Sequence, residues 1–329
     1  MKPARIAPSL AAVALLAAPA SPPRPDPCAY PHARVVAAHD GPELARALAA
    51  AGPGDLIQLQ AGVYAGKFEA AASGTAETPI VVCGPRAAAL EAGSLDTGYG
   101  LHVTGAYWIL SGFTVRRAKK GIVLDHASHN LLTDLEVADI GNEGIHLRAG
   151  SSDNVLRASS IHDTGRSGSP HFGEGVYIGS ATNHWCEFSG CGPDRSDRNQ
   201  VVDNVIGPNT TAESVDIKEG TSDGVLRGNT FSGAGMVVPD GADSWVDVKG
   251  NGWLIEGNRG TGAPIDGFQV HVKAPGWGRG NRFVGNVGQL NGSGYGINDK
   301  GTDTVVTCDN DLRATGKGKA NVRCQGVTR

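Results

Sequence analysis

The sequence predicts an all-β solenoid, in which short parallel strands stack coil upon coil around one continuous core. Three observations carry that expectation. The chain holds 48 Gly in 329 residues and only 5% aromatic side chains, a composition of turns and short extended segments. Seven segments align without a gap: Gly121-Ile-Val-Leu-Asp125, Gly144-Ile-His-Leu-Arg148, Gly175-Val-Tyr-Ile-Gly179, Ser214-Val-Asp-Ile-Lys218, Trp245-Val-Asp-Val-Lys249, Gly267-Phe-Gln-Val-His271 and Gly294-Tyr-Gly-Ile-Asn298. Roughly 22 to 40 residues separate them, at or near the period of repeat architectures. A second apolar series runs between them, from Asn154-Val-Leu-Arg157 to Asn281-Arg-Phe-Val284, and most of its members are followed at a fixed offset by Asn204, Asn229, Asn258 and Asn286. A two-sheet sandwich also has many short strands, but it would not keep two series in register over so many turns.

Taken in order, the chain starts with Lys2 and Arg5, an apolar run from Leu10 to Ala18 and the small-x-small site Ala18-Pro19-Ala20. Residues 1–20 therefore read as a signal peptide, and the protein as secreted. The run is too short to span a bilayer, and no later stretch approaches about 18 consecutive apolar residues. Residues 21–40 are a Pro-rich linker and N-terminal extension. Helical composition over 42–51, with Asp40 placed as a cap, predicts a short helix. The solenoid is expected over 41–310, with an insert at 180–196 and a C-terminal cap at 311–329. Six cysteines in an exported chain imply disulfides. Sequence locality pairs Cys186 with Cys191 and Cys308 with Cys324, leaving Cys28 with Cys83. The recurring asparagines read as structural turn residues, because a short amide tolerates left-handed backbone and can bond to the next coil.

Strand side chains alternate between faces, so stacking turns the alignment into a surface map. Ile145, Leu147, Val176, Ile178, Val215 and Ile217 and their equivalents point inward. The outward middle column reads Val123, His146, Tyr177, Asp216, Asp247, Gln269, Gly296. The strand-end column reads Asp125, Arg148, Gly179, Lys218, Lys249, His271, Asn298. Glu143, Glu174 and Glu213 stand just before consecutive strands. Like charges stacked this closely raise the electrostatic energy unless a counter-ion or substrate intervenes. A solvated salt-bridge ladder is the competing explanation, each pair contributing about 0 to 1 kcal/mol. An imidazole beside a phenol, at His146 and Tyr177, favours a site. Net charge is −4 with the signs interspersed, which argues against nucleic acid or an anionic membrane as partner. A monomer that binds a carbohydrate or small molecule is expected.

The block Pro53-Gly-Asp55, Gly62-Val-Tyr64, Gly74-Thr75 and Pro79-Ile80 resembles the opening of right-handed parallel β-helix proteins, where a short helix covers the first coil. Glu213, then Lys218, Ser222 and Gly228-Asn-Thr-Phe231, resembles the central motif of the polysaccharide lyase family that contains alginate lyases and chondroitinase B. The family's paired glutamate corresponds to Thr211 here, and the arginine of its following coil to Lys249. The resemblance implies a single-stranded right-handed parallel β-helix that cleaves an acidic polysaccharide or oligosaccharide by β-elimination. Lys218 would be the base, its pKa pushed down by Lys249, Arg148 and a bound cation. Lys249, His271 or Tyr177 would protonate the leaving oxygen, and Glu213 with Asp216 or Glu174 would hold Ca2+. His146, Asp247, Gln269 and Trp245 would bind substrate, Trp245 by stacking on a sugar ring, as Trp185 and Trp277 also could. The same fold serves glycoside hydrolases and epimerases, for which Glu213 with Asp216, or Asp216 with Asp247, offers a carboxylate pair. A non-catalytic carbohydrate-binding protein would need the charged columns only to bind.

Overall fold

A computed structural model describes residues 26–238, 242–301 and 303–326; the expected signal peptide at 1–20 lies outside them. Short strands separated by corner residues wind into a right-handed parallel β-helix, whose three sheets hold 11, 10 and 10 strands. Every sheet neighbour is parallel and one coil away in sequence, so each coil adds ~4.8 Å along the axis. The core is a single column of apolar side chains. In the sheet that carries the site, Ile145, Leu147, Val176, Ile178, Val215, Ile217, Val246 and Val248 all point into it.

The corners decide what can stack. A Cβ at Gly144 would meet the Gly175 carbonyl oxygen at 2.7 Å, and one at Gly175 the Ser214 oxygen at 2.7 Å, so the tight entry to these strands excludes a side chain. At the opposite corner runs a buried amide ladder. The backbone N–H of Asn204 donates to Asn229 Oδ1, Asn229 to Asn258, Asn258 to Asn286, each at 3.0 Å, and Asn286 to Asn310 at 2.9 Å. The asparagines are structural, as expected, but they are not the left-handed residues. That conformation falls on the residue before each, at Asp203, Gly228, Gly257 and Gly285 with φ of 56°, 66°, 61° and 58°. The turn is made one position early, and the asparagine side chain is thereby aimed inward.

Both ends of the solenoid are covered. Gly41–Ala49 is a helix with Asp40 as N-cap, its side chain accepting from the Glu43 N–H at 2.8 Å. Leu44 and Leu48 on its inner face close the core. The solenoid begins earlier than expected, because Arg34–Ala38, in the predicted linker, already pairs with Asp55–Leu59. It also ends later: Asp311–Arg313 and Gly318–Ala320 continue two of the sheets. The Thr307 to Gln325 bridge and the Cys308–Cys324 disulfide then strap the tail to the last coil. Cys28–Cys83 and Cys186–Cys191 form as the locality argument paired them.

One register differs from the alignment. Phe268 faces Ile297 and Gln269 faces Asn298, so the last repeat is shifted by two residues and Asn298, not Gly296, tops the middle column. A shift of two preserves the inward and outward faces.

Candidate active site

The middle column forms as the alignment predicts, with His146 opposite Tyr177, Tyr177 opposite Asp216 and Asp216 opposite Asp247. Asp216 is its hub. Lys218 Nζ donates to Asp216 Oδ2 at 2.6 Å, and Lys249 Nζ donates to Asp216 Oδ1 at 2.6 Å. Lys249 also reaches Asp247 Oδ2 at 3.0 Å, and His271 Nε2 stands 3.4 Å from the same oxygen. The Lys218 ammonium lies 4.6 Å from the centre of the Tyr177 ring. Burial pulls the Lys218 ammonium toward its neutral form, but Asp216, Glu174 and Glu213 more than reverse this and raise its pKa. The expected lowering by Lys249 and Arg148 is therefore corrected: the nearest charges to Lys218 are acids. Tyr177 is held as a neutral phenol by burial, with Asp216 and Glu174 adding to the effect.

Glu143, Glu174 and Glu213 do stack, and all three are buried. Burial, then Glu143 and Asp216, push Glu174 up to about 8. Burial, then Asp247 and Asp216, raise Glu213 as well. Ligand oxygens of Glu174, Glu213 and Asp216 lie within 4.8 Å of one another, as do those of Glu213, Asp243 and Asp247. Glu174 Oε2 is buried with no hydrogen-bond partner among the described residues.

On the other side of Tyr177 the sheet opens into a cleft of about 820 Å³, lined from Asp96 and Tyr99 to Lys218. His146 sits in its floor, its ring edge-on to Tyr177 at 4.4 Å. Its Nε2 donates to the Gly179 carbonyl at 3.0 Å, and Nδ1 faces Lys120 Nζ at 3.4 Å. Burial, Lys120 and Arg148 keep this imidazole neutral. Lys120 pairs with Glu143 at 2.9 Å. Arg148 is gripped by both oxygens of Asp125, at 2.7 and 3.1 Å, with Phe188 stacked 4.1 Å from its guanidinium. Phe188 comes from the insert, which walls the cleft as expected of an insertion in a solenoid. Asp194 anchors that insert by accepting from the Ala149 and Gly150 N–H groups and from the Ser180 and Ser196 hydroxyls.

Trp245 is corrected from substrate-binding to core. It is fully buried, and its indole fills the space above Gly260, Gly267 and Gly288, which have no Cβ to compete for it. Lys249, Asp247 and Gln269 are buried too and do not line the cleft; Gln269 donates to Asp266 at 2.9 Å. His271 likewise faces Asp247 instead of the cleft. Lys120, which stands at the entry to its strand as Glu143 and Glu174 do at theirs, lines it, as do Lys119, Phe172 and Phe188, which sequence reasoning passed over. The insert was the available signal for Phe188; the lysines precede a coil whose middle residue, Val123, is apolar.

Residues 99–322 match the family described as right handed beta helix region. A crystal structure of an alginate lyase from Paenibacillus sp. str. FPU-7 superposes with a TM-score of 0.82 at 39% identity, over 88% of this chain and 99% of that one. The chain belongs to the right-handed β-helix polysaccharide lyases. Pectate lyase Pel9A shares the fold, with a TM-score of 0.59 at 17% identity over 86% of this chain and 80% of that one. No curated protein matches in sequence. Tyr177 and Lys218 lie where the open cleft of this lyase meets the Asp216 hub.

Proposed function

We propose that this polysaccharide lyase is secreted and cleaves a uronate polymer by β-elimination, with alginate the first candidate. The observation that carries the reading is the Lys218 and Tyr177 pair at the closed end of the cleft, in a chain that matches an alginate lyase over 99% of that enzyme's length. Three disulfides support an oxidising compartment. In the reaction Lys218, as the amine, takes the proton from C5 of the uronate. The C5–H electrons form the C4–C5 double bond as the C4–O bond breaks, and Tyr177 gives its phenolic proton to the leaving oxygen. A buried, neutral phenol suits the second role. The first requires Lys218 to lose its proton, and its partner Asp216 opposes that. Lys218 thus becomes a base only when the Asp216 carboxylate is engaged elsewhere.

Glu174, Glu213 and Asp216 fit a divalent cation such as Ca2+: three carboxylates converge, and one buried oxygen has no protein partner among the described residues. When bound there, the ion would neutralise the substrate carboxylate and stabilise the enolate-like charge beside it. Lys249 holds the far oxygen of Asp216 and so orients the hub; His146, fixed as the Nε2–H form by Gly179, packs against Tyr177 and orients the phenol.

Alginate, pectate and glycosaminoglycans, incubated with the protein with and without calcium, test the reading. The expected product carries the ultraviolet absorbance of an unsaturated uronate. New reducing ends without that absorbance would show hydrolysis, and binding without turnover would show a carbohydrate-binding protein.

A further inference from the structure

We propose that the cleft beyond the reactive pair holds distal uronate subsites, in which the Lys119 ammonium, three strands from Lys218, takes a sugar carboxylate and the Phe172 ring, one strand from it, stacks on a sugar face. The inference rests on the lyase reading above and extends it to substrate length.

The cleft is lopsided. Its lining runs from Asp96 to Lys218 and includes no residue of a later coil. Tyr99–Val103, Lys120–Asp125, Ile145–Arg148, Val176–Ile178 and Val215–Ile217 are successive neighbours in the site sheet. Four strand spacings separate the first from the last, ~19 Å in all. One unit of an extended pyranose chain is about as long as one such spacing. A polymer lying along the sheet would therefore place about three or four units between the reactive pair and the far end, all on one side of the bond to be cut.

The lining offers two groups that are otherwise unexplained, one just ahead of Lys120–Asp125 and one just ahead of Val176–Ile178. Lys120, Arg148 and Lys218 each have a carboxylate partner. Lys119 lines the same cleft, yet it makes no ion pair among the described residues. An ammonium without a protein partner can accept an anion without first giving up another bond, which favours a carboxylate ligand over further structural pairing. Phe172 is 49% exposed, an apolar ring at the rim of a polar cleft. It is carried on the Pro170–Phe172 turn, held in place from behind: the Thr164 hydroxyl donates to the Gly173 carbonyl at 2.5 Å, and a Cβ at Gly173 would lie 1.8 Å from Thr211 Oγ1. A ring held by its backbone and left bare on one face suits the apolar C–H face of a sugar.

Size-graded oligouronates test this. For the wild type, kcat/KM should rise with chain length until the chain reaches Lys119 and then level off. Lys119→Ala should flatten that rise, lowering the ratio of long-chain to short-chain kcat/KM by about tenfold, through KM, and Phe172→Ala should flatten its first steps, those nearest the reactive pair. Lys119→Arg should keep the rise. Variants that follow the wild-type curve at every length would overturn the subsite, as would an equal loss at every length. A wild type that releases no unsaturated product from any uronate would instead remove the lyase reading, and the subsite with it.

Discussion

The site sheet has two halves built from the same repeat, and only one of them is open. From Lys120 to Lys218 the outward side chains line a cleft; from Asp216 to Gln269 they are buried against one another. Both halves are charged, and both stack acids against bases. Charge density therefore does not mark the site. In the sealed half the central charges hold one another: Lys249 pairs with Asp216 and Asp247, and Asp247, whose carboxyl burial would raise, is instead held far below the carboxylate range by Lys249 and His271. In the open half the balance among the described residues is incomplete, with orphaned oxygens on Glu143 and Glu174 and an unpaired Lys119. Tyr177 and Lys218 stand at the boundary, with a polar cleft on one side and a rigid charged block on the other.

The sharpest way to separate the halves is to remove one hydroxyl from the open side. Tyr177→Phe should lower kcat by about 10²- to 10⁴-fold, the usual contribution of a positioned acid, with little change in the melting temperature. Lys249→Met, in the sealed half, should do the reverse in kind. It leaves Asp216 and Asp247 underpaired in the core and should cost about 3 to 5 kcal/mol of stability, measured by denaturant unfolding. A smaller loss comes from the ladder behind both halves: Asn229→Ala removes the acceptor for the Asn204 N–H and should cost about 1 to 3 kcal/mol.

The mildest test follows from Glu174. Its folded-state pKa, about 8, lies above the ~4.3 of an exposed glutamate. The folded protein then holds its proton more tightly than the unfolded chain, so this group's contribution is full below the lower value and is lost as pH rises toward the upper one. Melting temperature measured across that window should fall with pH in the wild type and fall less in Glu174→Gln. Calcium should recover part of the loss in the wild type alone.

Much of this was legible in the sequence. Period-2 alternation fixes which side chain faces out, so His146, Tyr177, Asp216 and Asp247 could be stacked in order before any coordinates. Cysteine locality sufficed for the disulfides because each pair pins one loop or one end. Other features were hidden for physical reasons. The two-residue shift at Tyr295 changes no face, so an apolar pattern cannot detect it. Trp245 reads as a surface aromatic until the glycines of other strands, Gly260 and Gly288, are seen beneath it. Which half is open depends on how irregular loops fold over a regular sheet, and repeat alignment carries no information about that. The sign of the Lys218 shift depended on a contact between neighbours on one strand face, Asp216 and Lys218, which the columns listed separately.

The most direct test of the central claim is the initial rate of unsaturated uronate formation from alginate by the wild type and by Lys218→Ala, with thermal melts of both. The account predicts product from the wild type, a loss of at least about 10²-fold in the variant and similar melting, because Asp216 keeps Lys249 as its partner. Turnover by Lys218→Ala at the wild-type rate would contradict it.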